Sequence, residues 1–281
     1  MDSTSAPADL RPRIAAGAAE ARIQSIGRAR ALLDVMADGS WVALRNLARH
    51  TGLAKTTAFN LVSALVDTGL VDHDPGAGAY RLSLQHLAYG KAVERRLEVA
   101  AVAQPQLLRL CAETRETVNL ALPCPTDALI VESLEGSHTL RVSAYAGTRA
   151  SYHSTACGRA LLAHQSPAFR RSIYGLGPLA ATTERTVTDP EAIEALLDRC
   201  REVGWATEVE ENETGGACVA APIFGPGGGV VAAVSIAGPA ARFAPDAIGR
   251  VGALLVARLA EVSTDLSRGR EPIPLRALGS P

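Results

Sequence analysis

Residues 47–82, LARHTGLAKTTAFNLVSALVDTGLVDHDPGAGAYRL, decide how the first third of the chain folds. Gly52 can take the left-handed conformation that closes a helix, because it carries no Cβ. Thr51-Gly52-Leu53 therefore reads as a sharp turn between two helices. The first covers about residues 43–50, with Leu44, Leu47 and Ala48 on one face; the second covers about 55–68, with Ala58, Leu61, Val62 and Leu65 inward and Gly69 ending it. The string Asp74-Pro75-Gly76-Ala77-Gly78 separates Leu70-Val71-Asp72 from Ala79-Tyr80-Arg81-Leu82, which is the signal of a β-hairpin. Upstream, Ile26, Ala29, Leu32, Leu33 and Met36 recur at helical spacing and stop at Gly39. Three helices with a glycine turn between the second and third, then a hairpin, predict a winged helix-turn-helix. Periodicity alone also fits a generic three-helix bundle with a hairpin. The outward face of the third helix favours the DNA reading: Lys55, Thr56, Thr57, Phe59 and Asn60 offer an ammonium, two hydroxyls and an amide, not an acidic solvated surface.

The whole chain of 281 residues carries 28 Lys plus Arg against 29 Asp plus Glu and is 47% hydrophobic, which excludes a disordered chain and a polycation. Its length favours two domains. Charge is uneven: residues 1–96 hold 12 basic and 9 acidic side chains, a net +3, and residues 97–281 hold 16 and 20, a net −4. The opening residues 1–21 lack an apolar signal core and read as a loose tail. The apolar stretch from Ala217 to Gly238 is long enough to raise a membrane span, but Pro222, Pro226 and Gly227-Gly228-Gly229 divide it, so two strands around a turn are expected and no membrane partner. Five cysteines, odd in number and without a C-x-x-C pair, argue against disulfides or a zinc ribbon and fit a reducing cytoplasm.

Residues 84–98 read as a linker helix and Pro105 as the N1 residue of the helix that follows. Strands are expected near 117–122, 128–134, 139–145, 205–210, 217–224 and 230–237, with helices near 156–165, 167–174, 189–203 and 245–266. This is an α+β domain, 99–267, with a largely antiparallel sheet and a loose tail at 268–281.

Several residues of this larger domain invite chemistry. Tyr152, His153, Ser154, Thr155 and Ala156 open a helix whose unpaired N–H groups can cradle a carboxylate. Plain N-capping by Ser154 or Thr155 explains the same residues. Cys157 lies four residues from His153, and Cys218 is a second thiol, so a thiol hydrolase or redox sensor has to be weighed. No third member of a catalytic set is marked, and a small buried thiol is the commoner fate of cysteine. The acidic run Glu208, Glu210, Glu211 and Glu213 has no His pair at metal-ligand spacing, so no metal, cofactor or catalytic residue is expected. The Gly225 to Gly229 loop has no G-K-[ST] continuation and reads as a hairpin turn.

The stretch from Ile26 to Gly90 resembles the winged helix-turn-helix of the IclR family of bacterial transcriptional regulators. HSTACGRALLA (153–163), GWATEVEENETGGACVAAPIF (204–224) and VVAAVSIAGP (230–239) resemble that family's effector domain, and Glu211 followed after six residues by Cys218 reproduces its signature. The resemblance spans about residues 22–267. It implies a winged helix-turn-helix over 22–83, a GAF-like effector-binding domain, a homodimer or dimer of dimers, and control, as a repressor, of a metabolic operon. It also implies effector contacts at Glu208, Cys218, Ser235 and Ala237, where relatives often carry Asp, Cys, Ser and Ser. The longer Glu208 and the missing hydroxyl at Ala237 point to a bulkier or more apolar acid, aromatic in the extreme, with Tyr145 and Tyr152 either lining the pocket or simply packed. Ala54, Thr56, Phe59 and Asn60 depart from the family's recognition helix. Asn60 in place of Arg substitutes an amide suited to adenine, so A·T-rich readout of a near-palindromic operator is expected, with Arg81 on the wing. The alternative is a small-molecule enzyme on the GAF-like domain, with the N-terminal helices as a dimerisation module.

Overall fold

The computed structural model describes residues 23–94 and 98–268, which divide into two compact units between residues 96 and 97. The expected tails, but for Arg268, and residues 95–97 near the end of the expected linker lie outside the described residues.

The first unit runs α1 (Gln24–Val35), β1 (Val42–Ala43), α2 (Leu44–Thr51), α3 (Lys55–Asp67), β2 (Val71–Asp74), β3 (Ala79–Leu82) and α4 (Gln85–Glu94). Leu32, Met36, Leu47, Ala58, Val62, Leu65, Val71 and Tyr80 form its core, so the apolar faces of the three helices close against one another and the hairpin. Gly52 ends α2 at φ 67°, and Leu53 donates to the Ala48 carbonyl, so the turn from α2 to α3 rests on a residue that tolerates the left-handed region. The strands pair antiparallel in the order β1-β3-β2, with Asp72 opposite Arg81. Asp74 is a turn residue: its Oδ1 accepts from the N–H groups of Gly76 and Ala77.

The second unit contains α5 (Glu98–Thr114), β4 (Thr117–Pro123), β5 (Ala128–Leu134), β6 (Arg149–Ala150), α6 (Ala156–Ala163), α7 (Pro167–Tyr174), α8 (Pro190–Val203), β7 (Ala206–Val209), β8 (Gly216–Phe224), β9 (Val230–Pro239) and α9 (Pro245–Ser267). Its six strands lie antiparallel in the order β6-β5-β4-β9-β8-β7. Both faces are covered. One core packs α5 and α9 through Leu107, Leu110, Leu255 and Leu259 against Val118, Leu120, Val219 and Val234; the other packs α6 and α8 through Leu161, Leu162, Ile193 and Leu197 against Ala121, Ala220 and Ala233. The run from Ala217 to Gly238 is the β8–β9 hairpin, and no described helix is long and apolar enough to cross a membrane. Pro222 lies beyond the end of β7, where β8 has a single neighbour and the absent N–H costs least.

Two expectations are corrected. Pro105 lies inside α5, not at its first turn. Ala103, Leu107 and Leu110 are fully buried and Gln106 donates to Glu261 at 2.6 Å, so burial on both sides of the proline outweighs one lost helical hydrogen bond. Residues 139–145 are not a strand; the sheet takes up the two-residue β6 instead. The apolar alternation there is real, but side-chain hydroxyls hold the segment: Thr117 Oγ1 donates to the Val142 carbonyl at 2.6 Å and Ser133 Oγ to that of Ala144 at 2.9 Å.

A Cβ added to Gly252 of α9 would stand 2.3 Å from the Trp205 ring. Gly252→Ala should therefore destabilise the protein by about 1–3 kcal/mol, read as a lowered thermal midpoint. An unchanged midpoint would mean that the indole moves aside freely.

Candidate functional site

The first unit presents the beginning of α3. Lys55, Thr56, Phe59 and Asn60 are exposed and Thr57 is half-buried, while Ala58, Val62 and Leu65 face the core, so the polar residues fall on the outward face. Arg81 on β3 is exposed but not loose. Its Nε lies 3.2 Å from Asp72 Oδ2, and its guanidinium sits 4.5 Å from the centre of the Trp41 ring. The neighbouring ring pair His73 and Tyr80 stacks at 4.6 Å. Trp41 was not singled out from sequence; an exposed tryptophan directly before a short extended piece was the available signal.

The second unit holds a cavity of about 150 Å³ on the sheet face that α6 covers. Its wall crosses the sheet. Asn119 of β4, Ser235 and Ala237 of β9, Cys218 of β8 and Glu208 of β7 contribute from the strands, Thr155 and Cys157 from the start of α6, and Arg149 from β6. Registers explain the gathering: Asn119 pairs with Ser235, Cys218 with both Ala237 and Glu208. Five of the effector residues singled out from sequence, Thr155, Glu208, Cys218, Ser235 and Ala237, stand on this wall. The other four do not. Tyr152 is buried, its hydroxyl donating to the Cys124 carbonyl and its ring set edge-on to Phe169. Tyr145 is half exposed, and Ser154 and Ala156 are buried away from the cavity.

The α6 side of the cavity wall is tightly built. Thr155 is the N-cap: its Oγ1 accepts from Gly158 N–H at 3.0 Å and donates to the Ser151 carbonyl at 2.7 Å. Ser154 does not cap, and its buried Oγ has no partner among the described residues. Gly158 has no room for a Cβ, which would meet the Ser151 carbonyl oxygen at 2.1 Å. At the middle, Asn119 joins a chain of polar contacts: Ser133 Oγ donates to its Oδ1 at 2.8 Å, and its Nδ2 lies 3.4 Å from Ser235 Oγ.

At the β7 end, Glu208 is 5% exposed. Its Oε1 accepts from the N–H groups of Glu211 at 2.8 Å and Asn212 at 3.0 Å, in a turn that starts with Glu210 in the left-handed region at φ 59°. Burial pushes the Glu208 carboxyl up to about 7, against the opposing pull of those two hydrogen bonds. Burial likewise pushes the Cys157 thiol up to about 11 and the Cys218 thiol well above its ordinary range.

The turn is fastened from behind by Arg159 of α6, which is 1% exposed. Its guanidinium donates to the carbonyls of His153 and Thr207 and forms a two-pronged ion pair with Glu211. Thr182, Thr183 and Thr186 add hydroxyl contacts to the Glu210 and Glu211 carbonyls. Sequence reasoning missed Arg159, Asn119 and Arg149. An arginine inside the apolar run GRALLA and an asparagine inside TVNLAL were the visible signals. Among the described residues no cluster of three or more His, Cys, Asp or Glu is placed to hold a metal ion.

Comparison with known proteins gives these units their class. Residues 25–75 match the IclR helix-turn-helix domain and residues 91–267 the bacterial transcriptional regulator IclR C-terminal domain. The HTH-type transcriptional regulator BhcR of Paracoccus denitrificans is 30% identical over 266 residues, 93% of this chain and 94% of that one. The transcriptional repressor IclR of Escherichia coli is 29% identical, covering 90% and 93%. An IclR homologue from Microbacterium hydrocarbonoxydans, solved in complex with 4-hydroxybenzoate, is 25% identical with a TM-score of 0.73, covering 87% of this chain and all of that one. The chain belongs to the IclR family. It is a ligand-responsive DNA-binding transcriptional regulator, with a winged helix-turn-helix reader and a GAF-like effector domain.

Glu208 carries a test of the cavity's electrostatics. Its folded-state pKa of about 7 lies above the ordinary 4.5, so the folded protein keeps a proton that the unfolded chain releases between those values. Stability from this group is full below about 4.5 and is lost as pH rises to about 7. Glu208→Gln should gain on the wild type between pH 5 and pH 8 by on the order of 3 kcal/mol. Denaturant melts at both pH values measure the double difference, and an equal offset at the two would refute the raised pKa.

Proposed function

We propose that this regulator acts as a cytoplasmic repressor of a metabolic operon. A homodimer or dimer of dimers would set two α3 helices into successive major grooves of a near-palindromic operator, about 34 Å apart. A small carboxylic acid in the effector domain would change that binding. The reading extends the resemblance to relatives that are repressors, the Escherichia coli protein among them. Lys55, Thr56, Thr57 and Arg81 are assigned to phosphates and orientation. Asn60 is assigned to an adenine edge and Phe59 to an apolar base contact.

The observation that carries the effector reading is the cavity itself, walled on one side by α6 and lined by Thr155, Glu208, Cys218 and Ser235. At about 150 Å³ it is smaller than the usual drug-sized pocket. A cavity of about this size accommodates one benzene ring. The effector is therefore a single-ring or short-chain acid, which narrows the bulkier acid expected from Glu208 and Ala237. The complex of the Microbacterium homologue supports a one-ring aromatic acid. The enzymatic alternative is disfavoured by the thiols: burial holds Cys157 and Cys218 protonated at neutral pH, which removes the nucleophile a hydrolase needs.

Binding to DNA from upstream of the chain's own gene, followed by gel shift across a salt series, tests the reading. Affinity should be site-specific and fall steeply with salt. Lys55→Ala should reduce the salt slope by about 1, and Asn60→Ala should relax discrimination at one A·T pair by about 1–3 kcal/mol. Adding 4-hydroxybenzoate should shift the binding curve. No specific shift, together with turnover of a small molecule, would favour the enzyme.

A further inference from the structure

Glu208 poses a problem that the effector reading must solve, since an acidic ligand has to enter a cavity already walled by a carboxyl group. We propose that the acid binds against Glu208 as a hydrogen-bonded pair of carboxyl groups sharing one proton, so that effector binding takes up a proton. This rests on the reading of the cavity as the effector site.

The charged groups nearest Glu208 are either anionic or already paired, so an anion set beside it meets a carboxyl group first. On its own turn stand the two N–H donors to Oε1, with the Glu211 carboxylate and, on the cavity wall, Glu213. Directly across the ladder on β8 is Cys218, and Cys157 faces in from α6. Both thiols are kept neutral by burial. Ser235 on β9 and Asn119 on β4 are uncharged hydrogen-bonding groups. Arg185 is paired with Glu210 on the same turn at 2.7 Å, and two further cations stand near the site. Arg159 on α6 is engaged on both prongs with Glu211, and Arg149, which lines the cavity from β6 at the edge of the sheet opposite Glu208, is paired with Asp127 at 2.6 Å. Among the described residues Glu208 itself forms no ion pair.

Two carboxylates side by side repel strongly where one of them is as buried as Glu208, and retaining one proton between them converts that repulsion into a hydrogen bond. Burial has already brought the Glu208 carboxyl close to neutral pH, so only a modest further rise is needed. The chemistry balances simply: the ligand arrives as its carboxylate, one proton comes from solvent, and no bond other than the shared O–H···O contact forms. A ligand with an amide in place of its acid brings no negative charge and should take up no proton.

Isothermal titration calorimetry on the full chain with benzoate and 4-hydroxybenzoate, against benzamide, tests this. Runs at pH 8 in two buffers of different protonation heat should give about one proton taken up per acid bound and none for benzamide. Acid affinity should be level below about pH 7 and weaken about tenfold per pH unit above it. In Glu208→Gln the uptake should vanish and the pH profile flatten. If that variant does not fold, the wild-type proton count and pH profile still decide the matter. Binding of acid without proton uptake, uptake that persists in Glu208→Gln, or no binding of either acid at pH 6 where benzamide binds would overturn the proposal. No binding of the acids or of benzamide at pH 6 would instead overturn the reading of the cavity as the effector site.

Discussion

Arg159 is the largest fully buried side chain among the described residues, and the effector domain is arranged around it. An arginine at 1% exposure is costly unless its donors and its charge find partners, because a guanidinium cannot lose its charge. Its partners come from three places: the His153 carbonyl ahead of α6, the Thr207 carbonyl on β7, and Glu211 in the β7–β8 turn. Joining these fixes the distance between the capped start of α6 and the turn whose N–H groups hold Glu208. Thr155 and Glu208, at two sides of the cavity, are therefore set by one ion pair whose two residues each hold one of them through a backbone N–H: Arg159 donates to the Thr155 carbonyl and Glu211 to Glu208 Oε1. Such a pair is weak support for net stability, since desolvation offsets its attraction, but removing either partner costs about 3–5 kcal/mol. Its value here is geometric.

On the proposed effector site, the same arrangement defines where a ligand can exert leverage. An effector alters DNA affinity only through a difference in its own affinity for the two states, and about 1.4 kcal/mol of that difference gives a tenfold change. A cavity floored by a close-packed sheet has little freedom to yield. The parts of its wall held by side-chain hydroxyls, residues 142–144 through Thr117 and Ser133 and the 210–213 turn through Thr182, Thr183 and Thr186, rest on fewer backbone ladder bonds. These are the segments whose contacts a ligand can exchange at least cost.

Much of this was legible from the residues. Gly52 and Gly69 mark helix ends because the left-handed turn they adopt, at φ 67° and 74°, is closed to most residues. The β8–β9 hairpin was legible because Pro222 and the Gly227 to Gly229 run interrupt an otherwise membrane-length apolar stretch. The errors have a common origin. At Pro105 a local preference for N1 gave way to burial of Ala103, Leu107 and Leu110, and at 139–145 a strand-like alternation was satisfied by hydroxyls from β4 and β5 in place of a ladder. Asn119 and Arg149 could not be assigned to the cavity by local pattern, since the order β6-β5-β4-β9-β8-β7 sets Asn119 alongside Ser235 while Arg149 joins the wall from the edge strand opposite Glu208. Arg159 and Glu211 stand 52 residues apart, and nothing in their spacing announces the pair.

The charge division between the units acquires a physical meaning once the reader's face is in view. A net +3 over residues 1–96 overstates what α3 and the wing deliver. Of the side chains assigned to DNA, Lys55 and Arg81 are the charged ones, and Arg81 shares its guanidinium with Asp72 and the Trp41 ring. Asp72 screens part of that charge from a phosphate, while the indole restrains the side chain and lowers the entropy lost on contact. Each phosphate neutralised releases counterions, so affinity grows with the number of cations engaged. A single copy of this reader engages few. Two copies on one operator double the count and add the second half-site through a high effective concentration. The modest charge of the reader is thus itself an argument for the proposed oligomer: the less each copy binds alone, the more closely occupancy follows the arrangement of the pair, which is the quantity an effector has to control.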